Sequence, residues 1–238
     1  MTSVFLTAHW RDITMANYVV DPSILQDFIP HGTELDTWQG DAYVSLVGFL
    51  FEKSAIFGVP IPFHGLFEEV NLRFYVRRKV QSEWRRGVVF IKEFVPKAAV
   101  TLVARRVYRE NYATVPMDHQ LKLDADGRCL VATYLWGTDD GACRMNVDLR
   151  GATDASEDQR ARFFADHYWG YSRRDEATTI EYHVTHPPWQ LQAPVCFELH
   201  GNVASMYGEV FAEVIAQPPQ SVIFTEGSKV SVHRGRAL

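Results

Sequence analysis

Apolar residues recur along the chain in alternating or continuous runs, and these runs predict a fold made mainly of β-strands. Residues 12–20 alternate and are rich in β-forming side chains, a pattern typical of a strand. Residues 42–51 form a long apolar run, which is typical of a buried strand. The same patterns predict further strands at 71–79, 87–95, 128–136, 142–149, 178–186 and 229–233.

Helical patterns are fewer. Asp21 is a good N-cap because Pro22 follows it at the first helical position. Many strands with a few covering helices predict an α+β fold built on a strongly curved sheet or a barrel. No repeat or linker divides residues 1–238, so we expect a single domain. Helices are predicted directly after Asp21 and over residues 97–109, 156–165 and 203–215.

Composition narrows the possible classes of function. The chain is 47% hydrophobic and 13% aromatic, with a formal charge of -5 and a pI near 6.0. This balance argues against a nucleic-acid binder, which normally carries a basic face. The arginines at 77, 78, 85 and 86 flank a predicted hairpin, where a solvated sheet edge is favoured over phosphate binding. No apolar stretch is long enough for a membrane span or a signal peptide.

The motifs of cofactor and metal chemistry are missing. There is no phosphate loop, dinucleotide fingerprint or nucleophile elbow, so we expect no nucleotide cofactor. The nine histidines show no metal signature, so no metal ligands are predicted. The three cysteines are widely spaced, which favours reduced thiols in a cytoplasmic protein.

Several segments carry a resemblance to a known family. They are TELDTWQGDAYVSLVGFLFE (33–52), EEVNLRFYVRR (68–78), RRGVVFIKEFVPK (85–97), HYWGY (167–171) and EYHVTHPPW (181–189). Over nearly its whole length the chain resembles the YqjF-like family of unknown function, in the acetoacetate-decarboxylase-like superfamily. The resemblance implies an antiparallel β-barrel with helices over its openings.

The segment AAVTLVARRVYRENYA (98–113) resembles the one that leads into the Schiff-base lysines of acetoacetate decarboxylase. Those lysine positions are occupied here by Tyr112 and Ala113. An imine-forming decarboxylase needs an amine of lowered pKa at this point, and neither side chain supplies one. The resemblance therefore implies the scaffold of the superfamily without its usual nucleophile.

Four positions match pocket positions of the superfamily. Arg11 can hold a carboxylate through two parallel hydrogen bonds, or it can be an exposed arginine paired with Asp12. Glu69 matches the pocket glutamate and can carry a proton near neutral pH if its neighbours are apolar. Tyr112 can donate to a carbonyl oxygen, although tyrosines more often serve in packing. Ser45 lies near the position of a second pocket acid.

Other candidates depend on where their side chains point. Lys92 interrupts an apolar strand. If it points inward, desolvation makes it a relocated nucleophile, whereas the favoured outward orientation makes it an ordinary lysine. Arg105 is a candidate partner of Glu69, as is Arg73. His119 and His64 are candidates for the pocket edge.

The sequence leaves two main hypotheses open. In the first, the protein binds a small organic acid or carbonyl compound in a barrel cavity and, if it is an enzyme, transforms it by proton transfer or lyase chemistry. Glu69 and Tyr112 would act as catalytic residues, with Lys92 in reserve. In the second, the same cavity serves a noncatalytic binding or sensing module. The expected partner is a small molecule rather than nucleic acid or a membrane, and an oligomer is compatible with the sequence.

Overall fold

The computed structural model describes residues 3–60, 65–107, 109–138 and 141–238. His64 lies outside the described residues. The strands are β1 Val4–Val20, β2 Glu34–Leu35, β3 Ala42–Ile56, β4 Val59–Pro60, β5 Leu66–Val80, β6 Glu83–Val95, β7 Tyr112–Thr114, β8 Met117–Leu123, β9 Cys129–Trp136, β10 Cys143–Asp148, β11 Thr153–Asp154, β12 Trp169–Arg173, β13 Thr179–Thr185, β14 Gln192–Ala193, β15 Cys196–Gly201, β16 Ser221–His233 and β17 Arg236–Ala237. The α-helices are α1 Pro22–Leu25, α2 Ala98–Val107, α3 Gln159–Ala165, α4 Val203–Tyr207 and α5 Glu209–Ile215.

The large sheet curves so strongly that strands near opposite ends of its order, β16 and β13, pair with each other. Its neighbours follow the order β16-β1-β3-β5-β6-β12-β13, and β13 then pairs with β16 through Val184 opposite Val232. Most of these pairs are antiparallel, but β12 and β7 each run parallel to β6. The expected curved sheet with few helices is therefore present. The pairing is mainly antiparallel, as expected, with two parallel exceptions.

A second sheet covers one face of the first. It has the order β15-β10-β9-β8 and packs against the middle of β3. A Cβ atom at Gly48 would lie 2.3 Å from the Cε of Met145 and 3.0 Å from the Cδ2 of Tyr134, so the glycine leaves room for these two side chains of the second sheet. The Tyr134 hydroxyl donates a hydrogen bond of 2.6 Å to the backbone carbonyl of Asp12, which ties the second sheet to β1.

Strands of the ring are buried on both faces. Along β3, Leu46 and Leu50 belong to the core beneath the second sheet, whereas Val47 and Phe49 belong to the core inside the ring. This two-sided burial explains why residues 42–51 are apolar without interruption. The inner core contains the cavity described below, and α2 and α3 contribute residues to its wall.

The eight predicted strands are all present, but some boundaries and elements differ. The strands predicted at 12–20 and 229–233 are longer than expected, since β1 begins at Val4 and β16 begins at Ser221. The single helix predicted over 203–215 is wrong, since Gly208 has a φ of 84° and separates α4 from α5. The strands β8, β12 and β15 were not predicted. Residue 108, within the predicted second helix, lies outside the described residues.

Candidate functional site

A cavity of about 200 Å³ lies inside the ring of strands. Its wall is mostly apolar and aromatic, with Trp10, Phe49 and Phe51 contributed by β1 and β3. Phe51 stacks on Phe67 with ring centroids 4.9 Å apart. Such a wall excludes water and strengthens the electrostatic interactions of any polar group that faces the interior.

Strand β5 places three polar side chains on the cavity face. Glu69, Asn71 and Arg73 alternate along the strand and all line the cavity. Glu69 is only 2% exposed. Its Oε1 accepts a hydrogen bond of 2.9 Å from the Asn71 side-chain amide, and its Oε2 accepts one of 2.9 Å from the Tyr112 hydroxyl. The structure thus brings the predicted pair Glu69 and Tyr112 together.

The environment of Glu69 poises it for proton transfer. Burial raises the pKa of its carboxyl to about 7, although the hydrogen bonds from Asn71 and Tyr112 and the charge of Arg73 act in the opposite direction. Burial and the nearby acids raise the pKa of Tyr112 well above its ordinary value. The phenol therefore remains protonated and can donate.

A bulge in β6 decides which side chain enters the cavity next to Glu69. Phe90 lies opposite Arg73, but Lys92 lies opposite Leu72, so Ile91 is an extra residue in this strand. Before the bulge Phe90 faces the cavity, and after it Glu93 does. Lys92 is turned away from the cavity.

The contacts of Lys92 agree with the outward orientation. Its Nζ donates to the Asn111 side-chain oxygen at 3.3 Å in an exposed position. Partial burial and the charge of Arg105 lower its pKa, but none of the six lysines, all of them described residues, lines the cavity. The inward orientation of Lys92, and with it a nucleophile at this position, is contradicted.

Glu93 is a second cavity acid, and it is completely buried. It pairs with Tyr112 across the parallel strands β6 and β7. Neither of its carboxyl oxygens has a hydrogen bond of ordinary geometry to any described residue, since the Tyr112 hydroxyl is directed at Glu69. Burial first, and then the charges of Glu110 and Glu69, raise the pKa of Glu93 well above its ordinary value. This shift favours the protonated form of Glu93.

Glu110 completes the acidic side of the cavity. The Tyr182 hydroxyl donates a hydrogen bond to it, and burial raises its pKa to about 8. The Tyr182 ring lies directly over Gly170, where an added Cβ would be 2.0 Å from the Tyr182 Cζ. The glycine of the HYWGY segment thus makes room for this tyrosine.

The three carboxyls differ in ionisation because their contacts differ. The pKa of Glu69 is lowered by hydrogen bonds from Asn71 and Tyr112 and by the charge of Arg73, whereas the pKa of Glu93 is lowered only by Tyr112, so Glu69 loses its proton first. In such an arrangement the carboxylate can remove a proton from a bound molecule, while protonated carboxyls and a phenol donate hydrogen bonds to the oxygen that becomes negative.

A second polar group lies elsewhere in the cavity wall. His167 is buried, and its Nε2 lies 3.1 Å from Asp36 Oδ2. The same oxygen accepts a hydrogen bond of 2.6 Å from Arg86. The Nδ1 of His167 and the Nε of Arg73 are buried and have no hydrogen-bond partner among the described residues.

Arg11 and Ser45 lie outside the described cavity wall. Arg11 follows Trp10, which faces the cavity, and its own side chain points outward to pair with Asp12 at 3.9 Å and Glu52 at 3.6 Å. Arg11 is therefore an exposed arginine paired with Asp12, which is the second of the two alternatives that the sequence left open. Ser45 is buried and held by Asn17 at 2.5 Å, which leaves it no contact with the cavity.

Arg105 and His119 also face other partners. Arg105 is exposed on α2 and donates to the Tyr112 backbone carbonyl at 2.7 Å rather than to Glu69. His119 contacts Glu68 through its Nδ1 at 2.5 Å. Because Glu68 alternates with Glu69, this contact lies on the opposite face of β5. Glu68, His119 and Asp118 have ligand atoms within 4.8 Å of one another, but the hydrogen bond accounts for their proximity.

The sequence analysis missed the cavity residues Glu93, Glu110, Tyr182 and His167, and it treated Arg73 only as a partner of Glu69. A signal existed for Glu110, which lies two residues before Tyr112 in the segment that resembles acetoacetate decarboxylase. No local signal marks Glu93, because the bulged residue Ile91 is an ordinary strand-forming residue and leaves no trace in the pattern. His167 depends on long-range packing against Asp36.

Comparison with solved structures defines the fold class. An acetoacetate decarboxylase-like enzyme from Sphingomonas wittichii RW1 superposes with a TM-score of 0.66 at 13% identity, covering 99% of this chain and 94% of that one. Acetoacetate decarboxylase from Legionella pneumophila has a TM-score of 0.66 at 13% identity, with coverage of 98% and 87%. The enduracididine biosynthesis enzyme MppR, complexed with pyruvate, has a TM-score of 0.65 at 14% identity, with coverage of 100% and 91%. The chain thus has the acetoacetate-decarboxylase-like fold.

The family follows from sequence. Residues 7–229 match the family DUF2071, described as an uncharacterized conserved protein, and the chain belongs to that family. It is 32% identical over 117 residues to the uncharacterized protein YqjF of Bacillus subtilis (strain 168), a match that spans 49% of this chain and 47% of that protein. The chain matches about half the length of this relative. In the part of the chain that the structure describes, no helix is long and apolar enough to cross a membrane.

Proposed function

We propose that this protein catalyses proton transfer on a small carbonyl compound bound noncovalently in the cavity. The observation that carries the proposal is the contact of Glu69 with Tyr112 and Asn71 beside Glu93 in an apolar cavity. The Glu69 carboxylate removes a proton from the carbon next to the carbonyl. Glu93 donates to the carbonyl oxygen as it gains negative charge, and the Tyr112 hydroxyl turns from Glu69 to the same oxygen once Glu69 has taken up the proton.

Arg73 supports the binding of a ligand that also carries a carboxylate. It is the arginine in the described cavity wall, and its guanidinium offsets the acidic residues there. An oxo acid is therefore compatible with the cavity. MppR, which shares the fold, has been solved with pyruvate and with the condensation product of pyruvate and imidazole 4-carboxaldehyde.

The proposal excludes a Schiff base, because the described cavity wall contains no lysine. Decarboxylation through an imine requires such an amine. Proton transfer does not, since the charge that develops on the carbonyl oxygen is stabilised by hydrogen bonds alone. The reaction class proposed is thus enolisation or isomerisation rather than imine-dependent decarboxylation.

Proton exchange tests this function directly. A panel of pyruvate, acetone and other small ketones and aldehydes is incubated with the protein in D₂O, and loss of the proton next to the carbonyl is followed by NMR. We expect Glu69→Gln to slow exchange by about 100-fold or more, since general acid–base catalysis contributes at least that much. The rate should rise as the pH passes through about 7, where Glu69 ionises.

The matched control is Glu68→Gln, which removes the neighbouring carboxyl on the opposite face of β5. This variant should catalyse proton exchange at the wild-type rate. If the panel stabilises the protein against thermal unfolding but no compound exchanges, the cavity belongs to a noncatalytic binding module. Equal rates of proton exchange in wild type and Glu69→Gln would show that Glu69 is not the base.

A further inference from the structure

A buried histidine and an arginine give the cavity a polar contact that the proton-transfer chemistry does not use. His167 lines the cavity, and its side chain is only 1% exposed. Tyr75 and Phe163 flank its ring, with centroids at 4.6 Å and 5.2 Å. Its position is thus set by packing as well as by its hydrogen bond to Asp36.

The hydrogen bond to Asp36 decides which nitrogen carries the proton. Burial raises the pKa of Asp36, but the hydrogen bonds from His167 and Arg86 bring it below its ordinary value, so Asp36 is ionised and can only accept. The Nε2 of His167 must therefore donate. Burial lowers the pKa of His167 to about 4, so the ring is neutral and Nδ1 is a bare acceptor at neutral pH.

A second unpartnered polar atom, the Nε of Arg73, belongs to a residue that lines the same cavity. Arg73 lines the same cavity and is near enough for its charge to lower the pKa of His167. Its terminal nitrogen donates to the Phe164 backbone carbonyl at 3.3 Å, while its Nε is buried without a partner among the described residues. An unpartnered acceptor and an unpartnered donor therefore belong to one cavity wall. Buried polar groups are normally satisfied, so each calls for a partner in the cavity.

We infer that His167 Nδ1 and Arg73 Nε recognise a hydroxyl group of the ligand. A hydroxyl can donate its proton to Nδ1 and accept from the Nε–H with the same oxygen, which an ether or a carboxylate cannot do. This inference rests on the proposed function in one respect, namely that the cavity binds a small carbonyl compound. It narrows that class to hydroxylated carbonyl compounds and makes His167 a specificity-determining residue.

Binding measurements with matched probes test the inference. The probes are hydroxyacetone and 4-hydroxyacetophenone, each compared with its methyl ether and with the analogue that lacks the oxygen. Affinities are measured by ligand-observed NMR. We expect wild type to bind at least one hydroxylated probe about tenfold or more tightly than both analogues, because the analogues leave a buried polar group unsatisfied.

The variant His167→Phe keeps the ring and its aromatic contacts but removes the acceptor, so it should bind the three members of each series with similar affinity. The control His183→Phe replaces a histidine outside the described cavity wall, stacked on Trp169 at 4.4 Å, and should keep the preference. In wild type, nitrogen-15 NMR should show the Nε2–H tautomer and a shift of the Nδ1 signal when the hydroxylated probe is added. This last readout needs no variant that might misfold.

The inference is overturned if no hydroxylated probe binds more tightly than its analogues, or if the preference survives in His167→Phe. An unchanged Nδ1 signal would show that only a water molecule satisfies this atom. These results are separate from the exchange assay, because Glu69→Gln should keep the hydroxyl preference while losing exchange. If the protein catalyses proton exchange but does not prefer hydroxylated probes, only this inference is wrong. If it prefers hydroxylated probes but does not catalyse exchange, only the proposed catalysis is wrong.

Discussion

Replacing Glu69 by glutamine should change how the stability of the protein depends on pH. In the folded protein Glu69 keeps its proton up to a pKa of about 7, against an ordinary value of 4.5. Between these values the folded state binds a proton that the unfolded chain has released. The contribution of Glu69 to stability is therefore fully present below pH 4.5 and is lost as the pH rises towards and through 7.

The size of the effect follows from the pKa difference. Between pH 5 and pH 8 the linkage amounts to about 2 to 3 kcal/mol of unfolding free energy lost by the wild type. Removing the Glu69 charge also lowers the pKa of Glu93 and Glu110, because that charge raises both. These two acids then lose less stability as the pH rises, which adds to the effect of removing Glu69, so we expect Glu69→Gln to gain at least about 2 kcal/mol relative to wild type over this range.

Urea unfolding at pH 5, 6, 7 and 8 measures this difference. Glutamine matches the protonated carboxyl in shape and can accept from Asn71 or Tyr112, so the two proteins should be most alike near pH 5. Glu83→Gln, at the exposed first residue of β6, is the control and should follow the wild type at every pH. A stability difference between Glu69→Gln and wild type that stays constant from pH 5 to pH 8 would refute the reasoning.

Three further outcomes follow from the same contacts. Tyr112→Phe removes the 2.9 Å hydrogen bond to Glu69. It should lower the free energy of unfolding by about 1.5 to 3 kcal/mol at pH 8, where the acceptor is charged, and by less at pH 5. An equal loss at both pH values in urea unfolding would contradict this. Gly170→Ala places a methyl group 2.0 Å from Tyr182 and should destabilise the fold by about 1 to 3 kcal/mol, and an unchanged melting temperature would count against the packing described. Borohydride reduction with pyruvate should leave the protein mass unchanged, since Lys92 is outside the cavity, and a mass gain at any lysine would reverse that conclusion.

The fold was largely predictable because its strands carry uninterrupted patterns. Strand β5 has no extra residue between Glu69 and Arg73, so these two side chains fall on one face by periodicity. The resemblance to the acetoacetate-decarboxylase-like superfamily added the information that this face surrounds a cavity and that Tyr112 lies beside it. Local pattern and family resemblance together predicted the pair Glu69 and Tyr112.

The rest of the site depends on features that local pattern does not contain. One inserted residue, Ile91, places Glu93 instead of Lys92 in the cavity, and an isoleucine after Phe90 looks like any other strand residue in the sequence. Arg11 follows Trp10 on β1 and is turned outward by strand alternation, which the superfamily match alone could not show. The orientation of His167 requires Asp36, 131 positions away in the chain, so only the assembled fold brings them together.

The central claim is that Glu69 ionises near neutral pH inside an apolar cavity, and a carbon-13 NMR titration of its side-chain carboxyl tests it most directly. Glu69→Gln assigns the signal by its disappearance. The account predicts a midpoint at a pKa of about 7. A midpoint near the ordinary value of 4.5 would mean that the carboxyl is solvated, and it would contradict the proposed role of Glu69 as the base.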